Sequence, residues 1–301
     1  MPDVSQQTGS AAHDDGLAAF VAARPRLFGI AYRMLGSAAE AEDVVQDAWL
    51  RWQNTDRGTV RDAAAFLATT TTRLALNLLQ SAHARRETYV GPWLPEPVDT
   101  SADPNLGAER GEALQMAVLL LLEKLTATER AAYVLREAFD YPHRQIAEML
   151  QLSEANVRQL VTRARAHIAN GRRAAVSAAD HQRLLHAFLT AAQTGEVAAL
   201  EAMFAADVVS YSDGGGFVRA ARRPVQGRAR VASFVAAFAS HYWSGVTLAE
   251  AETNGQPSML ILRDDAVIGL VAITASPDGI EQLLWLMRPS KLAALSRPSA
   301  P

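Results

Sequence analysis

The sequence predicts a multidomain chain, an all-α half followed by an α+β half, and three observations carry that prediction. Apolar residues recur at helical spacing up to about Arg173; the segment Glu87 to Asn105 holds Pro92, Pro95, Pro97 and Pro104; and beyond Ala179 two helical stretches give way to alternating runs divided by turn residues. With 301 residues, 49% of them apolar, the chain has material for about two cores. There is no cysteine, which excludes disulfides, thiolate metal sites and thiol catalysis, and neither a metal nor a cofactor is expected. Met1 to Gly16 is polar and acidic, unlike a signal peptide, and no apolar run approaches the roughly 18 residues of a membrane span. A cytoplasmic protein without a membrane partner is expected.

Residues 1–15 read as a disordered tail. Leu17 to Leu35 reads as a helix with Phe20, Leu27, Phe28, Ala31 and Leu35 inward, kinked or restarted at Pro25 and ended by Gly36-Ser37. Ala38 to Trp52 follows, burying Ala41, Val44, Val45, Ala48 and Trp52 and exposing Glu40, Asp43, Gln46, Asp47, Leu50 and Arg51. Its acidic first turns suit either the helix dipole or a basic partner. Gln53 to Thr59 is a polar loop. Arg61 to about Ala84 reads as a third helix, with Phe66, Leu67, Thr70, Leu74 and Leu78 inward and Arg61, Arg73 and Asn77 outside. The proline-rich linker, with Trp93 in Gly-Pro-Trp-Leu-Pro-Glu-Pro, should be extended and stiff.

Leu125 to Arg173 is the segment around which the rest is organised. A capped helix starts near Ala127 and ends at Pro142; a short helix carries Ile146, Ala147 and Leu150; Ser153 caps a last helix that buries Val157, Val161, Ala164 and Ile168. Its other arc carries Ala155, Arg158, Gln159, Thr162 and Arg163. Arg144, Arg158, Arg163, Arg165, Arg172 and Arg173 stand against Glu148 and Glu154, about +4 locally in a chain of net charge −3. Arginine forks match phosphates and guanine, and Asn156 and Gln159 can pair with adenine, which suits a helix in a major groove. A solvated basic face on a helical hairpin is the bland reading of the same spacing.

Ala41-Glu-Asp-Val-Val-Gln-Asp-Ala-Trp-Leu50 with the Phe66 to Asn77 helix resembles region two of the extracytoplasmic-function sigma factors, and Leu125 to Arg173 resembles their region four. The resemblance implies a helix-turn-helix transcription initiation factor, not an enzyme, whose partners are core RNA polymerase (the β′ clamp helices and the β subunit) and promoter DNA. By position, Asp43, Gln46, Asp47 and Leu50 inherit polymerase docking. Asn54, Asp56, Arg57, Arg61, Arg73 and Asn77 fall at the minus-ten element. Arg144, Ala155, Asn156, Arg158, Gln159, Thr162, Arg163 and Arg165 fall at the upstream, minus-thirty-five element. Trp49 and Trp52 could stack on bases, but their spacing with Val45 and Ala48 favours the core. Glu154 and Leu160 depart from the residues commoner in the family.

After Ala179 helices are expected at His181 to Gln193, Val197 to Phe204 and Arg228 to Ser240. Strands are expected at Val208 to Ser212, Val246 to Thr253, Ser258 to Leu262, Val267 to Thr274 and Ile280 to Met287, with hairpin turns at Asn254-Gly255, Asp264-Asp265 and Pro277-Asp278-Gly279. This predicts a curved antiparallel sheet wrapped round a helix, leaving a conical cavity. The segment resembles the SnoaL-like branch of the nuclear transport factor 2-like superfamily. Asp213-Gly-Gly-Gly216 and Trp93-Leu-Pro-Glu-Pro97 resemble motifs of the sigma subgroup that carries such a tail. That resemblance implies regulation in cis, with Trp93, Asp213, Gly214, Gly215 and Gly216 as the regulatory contact. The expected domains are therefore region two at 16–86, linker at 87–110, region four at 111–175 and SnoaL-like tail at 179–295. The alternative is a DNA-tethered enzyme or ligand sensor whose tail cavity, lined by Tyr211, Asp213, His241 and Trp243, takes a small ligand.

Overall fold

The computed structural model describes residues 4–101, 115–171 and 176–295. The chain divides into two compact units, one made of residues up to 84 together with 121–170, the other of residues 85–101, 115–120 and 176–295. Pro104, Arg172 and Arg173 lie outside the described residues, as do the C-terminal end of the expected linker and both expected region-four boundaries, while the expected linker start, Glu87, is the last residue of a helix.

The first unit is helical: α1 (Val4–Leu35), α2 (Ala38–Gln53), α3 (Ala63–Glu87), then, after α4 (Met116–Leu122), α5 (Ala127–Glu137), α6 (His143–Leu150) and α7 (Glu154–Gly171). Residues 4–15, expected as tail, continue α1, because extending a formed helix gains a hydrogen bond for each residue fixed. The same helix runs through Pro25 rather than restarting there. Leu27, Ile30, Ala31, Met34 and Leu35 are fully or nearly fully buried just beyond it, and their packing offsets the missing N–H. Helix α2 buries Ala41, Val44, Val45, Ala48 and Trp52 behind a Ser37 cap. The inward stripe of α3 is Leu67, Ala68, Thr71, Thr72, Ala75 and Leu79, one register step from the one expected, since small residues and threonines there let neighbouring helices approach.

Helix α5 opens on a full capping box, Thr126 Oγ1 accepting from the Glu129 N–H and Glu129 accepting from the Thr126 N–H. It ends at Glu137, five residues before Pro142. Asp140 takes a left-handed conformation (φ 56°), and Pro142 instead occupies the cap position of α6. Gln151 (φ 57°) closes α6 in the left-handed region, and Ser153 Oγ accepts from the Asn156 N–H to start α7. Arg130 fastens this unit from inside: 2% exposed, it donates to the carbonyls of Met34 at 2.7 Å and Leu122 at 2.9 Å and pairs with Glu123 at 2.6 Å.

The second unit holds α8 (Ala178–Thr194), α9 (Val197–Met203), β1 (Phe204–Asp213), β2 (Val225–Gln226), α10 (Arg228–Ala236), α11 (Ala239–Tyr242), β3 (Thr247–Thr253), β4 (Gln256–Arg263), β5 (Ala266–Ser276), β6 (Gly279–Leu286) and α12 (Pro289–Leu292). The sheet order is β2-β1-β6-β5-β4-β3. Strands β3 to β6 form the antiparallel meander expected, while β1 lies parallel to β6, so the sheet is mixed. Two of the three hairpin turns, Asn254-Gly255 (φ 56° and 70°) and Asp264-Asp265 (φ 50° and 60°), use consecutive left-handed residues, and the third, between Ser276 and Gly279 (φ 111°), joins β5 to β6. One sheet face packs Leu283, Val271, Ile273 and Trp285 against Phe188, Leu189 and Val235 from the helices. The other packs Leu284, Leu286, Leu270 and Leu260 against Leu94, Met116 and Leu292. The linker is therefore not a free rod. Leu94 is completely buried, Val98 accepts from the Asn254 N–H at 2.9 Å, and Asp99 bridges Thr253 beside β3.

Candidate functional site

On α2, Asp43, Gln46, Asp47 and Leu50 stand exposed at intervals of three, one and three, which puts them on one face. Neither Asp43 nor Asp47 has an ion-pair partner among the described residues, and Leu50, just beyond Asp47, is 48% exposed, an apolar contact point beside the acids. Trp52 is core, its Nε1–H donating to the Gly16 carbonyl at 2.8 Å and its ring 5.5 Å from that of Phe66; Trp49 leans on Phe20 at 4.7 Å.

The residues expected at the minus-ten element divide into two sets. Asn54 caps α2 through Nδ2 to the Leu50 carbonyl, Asp56 caps the Arg57–Thr59 turn through the Gly58 N–H, and the Arg57 guanidinium stacks 5.5 Å over Trp52. These three build the loop. Arg61 and Asn77 are exposed. Arg73 is committed elsewhere in this unit: Nε donates to the Met149 carbonyl at 2.9 Å and Nη2 to the Glu148 carbonyl at 3.1 Å, at the negative end of α6.

On α7 the outward residues are Ala155, Asn156, Arg158, Gln159, Thr162, Arg163 and Arg165, and Val157, Val161, Ala164 and Ile168 are buried. Leu160, one of the residues unlike those commoner in the family, is 6% exposed, so it packs inward and is not a failed base contact. Glu154, the other, pairs with Arg158 at 2.5 Å. Arg163 meets Glu129 at 3.2 Å, Arg165 meets Glu137 at 2.7 Å, and Arg144 on α6 meets Glu148 at 3.4 Å. Asn156 and Gln159 present their amides from the first two turns of the helix, where a major-groove reader carries its base contacts.

In the second unit Asp213 is fully buried at the end of β1. Its carboxylate accepts from the Tyr89 hydroxyl at 2.5 Å, the Leu94 N–H at 2.9 Å and Lys291 Nζ at 2.7 Å; Lys291 also donates to the Leu94 carbonyl and sits 4.3 Å over the Trp93 ring. Both backbone groups of Leu94 are thus held by one buried ion pair. Burial and the Asp213 hydrogen bond push the Tyr89 phenol up to about 12. The glycines explain the close approach: a Cβ on Gly215 (φ 56°) would stand 2.8 Å from the Tyr89 hydroxyl, and one on Gly216 (φ 81°) 3.4 Å from Val90. Reading the sequence missed Tyr89 and Lys291. The only available signal was that Lys291 is one of two lysines, with Lys124, among 29 basic residues.

The same unit holds a cavity of about 60 Å³ whose lining includes Phe234, Phe238, Tyr242, Trp243, Trp285 and Arg219. Burial raises the Tyr242 phenol to about 12. Trp243 lines the cavity, but Tyr211 packs on the opposite sheet face, Asp213 is engaged with the linker and His241 is exposed against Ser240. The four residues considered for catalysis do not converge.

The family model for Sigma-70 region 2 matches residues 20–86, and that for Sigma-70 region 4 matches residues 115–168. The chain is 36% identical over 233 residues to the ECF RNA polymerase sigma factor SigJ of Mycobacterium tuberculosis, covering 75% of this chain and 74% of the relative. It is 32% identical to the probable ECF RNA polymerase sigma factor SigI of the same organism, over 94% of this chain and 97% of the relative. The crystal structure of Mycobacterium tuberculosis SigJ superposes with a TM-score of 0.74 at 30% identity, covering 94% of this chain and 100% of the other. A helical region-two body, a helix-turn-helix and a mixed-sheet tail in this order, with these relatives, make the chain a member of the extracytoplasmic-function RNA polymerase sigma factors, which recognise promoters and initiate transcription.

Proposed function

We propose that this sigma factor works with core polymerase in the cytoplasm and is controlled in cis by its tail, which holds the linker. The observation that carries this is the clamp on Leu94: Asp213 takes its N–H and Lys291 its carbonyl, so the conformation of the segment following region two is set by the tail. Trp93, Asp213 and Gly214 to Gly216 act as the regulatory contact, with Tyr89 and Lys291. In the same reading Asp43, Gln46, Asp47 and Leu50 dock on the β′ clamp helices. Arg61 and Asn77, with the loop built by Asn54, Asp56 and Arg57, hold the opened minus-ten strand, and Arg73 joins them only once its hold on α6 is released. Helix α7 reads the upstream element through Asn156, Arg158 and Gln159.

The test is transcription in vitro from a cognate promoter with Trp93→Ala and Tyr89→Phe, two changes that spare the buried ion pair. Initiation changes and the preferred promoter sequence does not. Wild-type initiation by both variants rules out control through the linker. Docking is tested separately: Asp43→Arg with Asp47→Arg abolishes capture by core polymerase while circular dichroism is unchanged, because exposed carboxylates add little to stability but a complementary interface does not tolerate their reversal.

A further inference from the structure

From Gly214 to Ala249 the chain holds Arg219, Arg222, Arg223, Arg228 and Arg230 and no acidic residue. That is a local charge of +5 in a chain whose total is −3, which leaves −8 for everything else. All five side chains are exposed, and among the described residues none has a carboxylate partner. They flank β2, the two-residue strand at the edge of the sheet, and open α10. A solvated surface ordinarily interleaves charges of both signs. This one does not.

We propose that this sheet edge is a further DNA-binding surface, gripping the phosphate backbone of duplex DNA without reading its sequence. Two features favour backbone over bases. Of the residues between the arginines, Ala220, Ala221, Pro224, Val225, Gln226, Gly227 and Ala229, only Gln226 carries a side chain able to recognise a base edge. Gly227 caps α10 without a side-chain hydrogen bond, leaving first-turn N–H groups and the positive end of the helix dipole beside Arg228 and Arg230. Non-specific phosphate binding needs nothing more, and it would hold DNA already engaged by regions two and four. The surface is independent of the linker clamp.

The experiment is equilibrium binding of the full-length protein to duplexes of promoter and scrambled sequence over a range of salt, comparing wild type with Arg222→Gln/Arg223→Gln/Arg230→Gln and with lysine at the same three positions. The glutamine variant loses affinity equally on both duplexes. Its slope of log affinity against log salt becomes shallower by about 0.9 for each phosphate contact removed, and the lysine variant keeps the wild-type slope. Circular dichroism and melting are unchanged in both, as expected for exposed side chains. Wild-type affinity and slope in the glutamine variant overturn the proposal. So does intact DNA binding with weakened capture of core polymerase, which would make an acidic protein surface the partner, and so does a loss confined to one DNA sequence.

Discussion

The recognition helix and the tail edge are both rich in arginine, and they differ in what the arginines already hold. Around α7, Arg144, Arg158, Arg163 and Arg165 each have a carboxylate within 3.4 Å; along the tail edge, no described arginine has one. DNA approaching α7 must displace glutamates, and an exposed pair contributes about 0–1 kcal/mol, so the exchange is cheap but not free. The tail edge meets any phosphate with its full charge. The surfaces proposed for specific and for non-specific binding are thus differently prepared. On the proposed reading of α7, the internal pairs orient its arginines and weaken their attraction to arbitrary DNA, and discrimination through bases falls to Asn156, Gln159 and Arg158.

Lys291 sharpens the comparison because, in the same unit as the tail edge, it is a paired cation taken out of water: it is 8% exposed and Asp213 is 0% exposed. Removing one partner leaves the other charged and buried, which costs about 3–5 kcal/mol, far more than any surface pair. Asp213→Ala therefore gives the largest effect, a lowered melting temperature of the tail. Asp213→Leu with Lys291→Met recovers much of the loss, since neither charge is then stranded. Equal melting of the single and double variants would mean that the pair does not hold the linker.

At the reader the effect is smaller and of a different kind. Arg158→Ala or Gln159→Ala weakens binding to the cognate upstream element by about 1–3 kcal/mol if the side chain pairs bidentately, and relaxes preference there. Affinities for matched and scrambled elements decide it. Undiminished discrimination in both variants removes α7 as the reader.

Helix α7 was legible because its pattern is local. Ser153, the spacing of Val157, Val161, Ala164 and Ile168, and the turn at Gln151-Leu152 are all written within two helices. What sequence could not supply was partnership. Of the six arginines behind the expected +4, four are paired to carboxylates, two of these on α5, and Arg172 and Arg173 lie outside the described residues. The meander was legible from its turns, yet the parallel β1 with β6 was not, because pairing across the whole tail leaves no local signature. Runs such as Met259-Leu-Ile-Leu262 and Leu270-Val-Ala-Ile273 are apolar on both faces; the second face is covered by Leu94 and Met116, which lie far away in sequence. The linker looked like a spacer because prolines say only that it is extended, not what it lies on.

The smallest effect tests the difference between the two arginine surfaces directly. Glu129 and Glu137 lie on α5, remote in sequence from the arginines they hold, and their side chains are 17% and 28% exposed. Replacing both with glutamine frees Arg163 and Arg165 without changing either arginine. Because each pair contributes at most about 1 kcal/mol, DNA affinity rises by no more than about five-fold per pair, equally on matched and scrambled sequences. The salt dependence also steepens. In the wild type a glutamate released by the exchange recovers a counterion while the phosphate loses one, and the glutamine variant has only the loss. A general gain from removing negative charge is separated by Asp43→Asn, which deletes a carboxylate that holds no arginine and reproduces only the long-range part. If the double glutamine variant gains no more than Asp43→Asn, the glutamates are not withholding Arg163 and Arg165 from DNA, and the contrast between the two surfaces is one of position rather than of pairing.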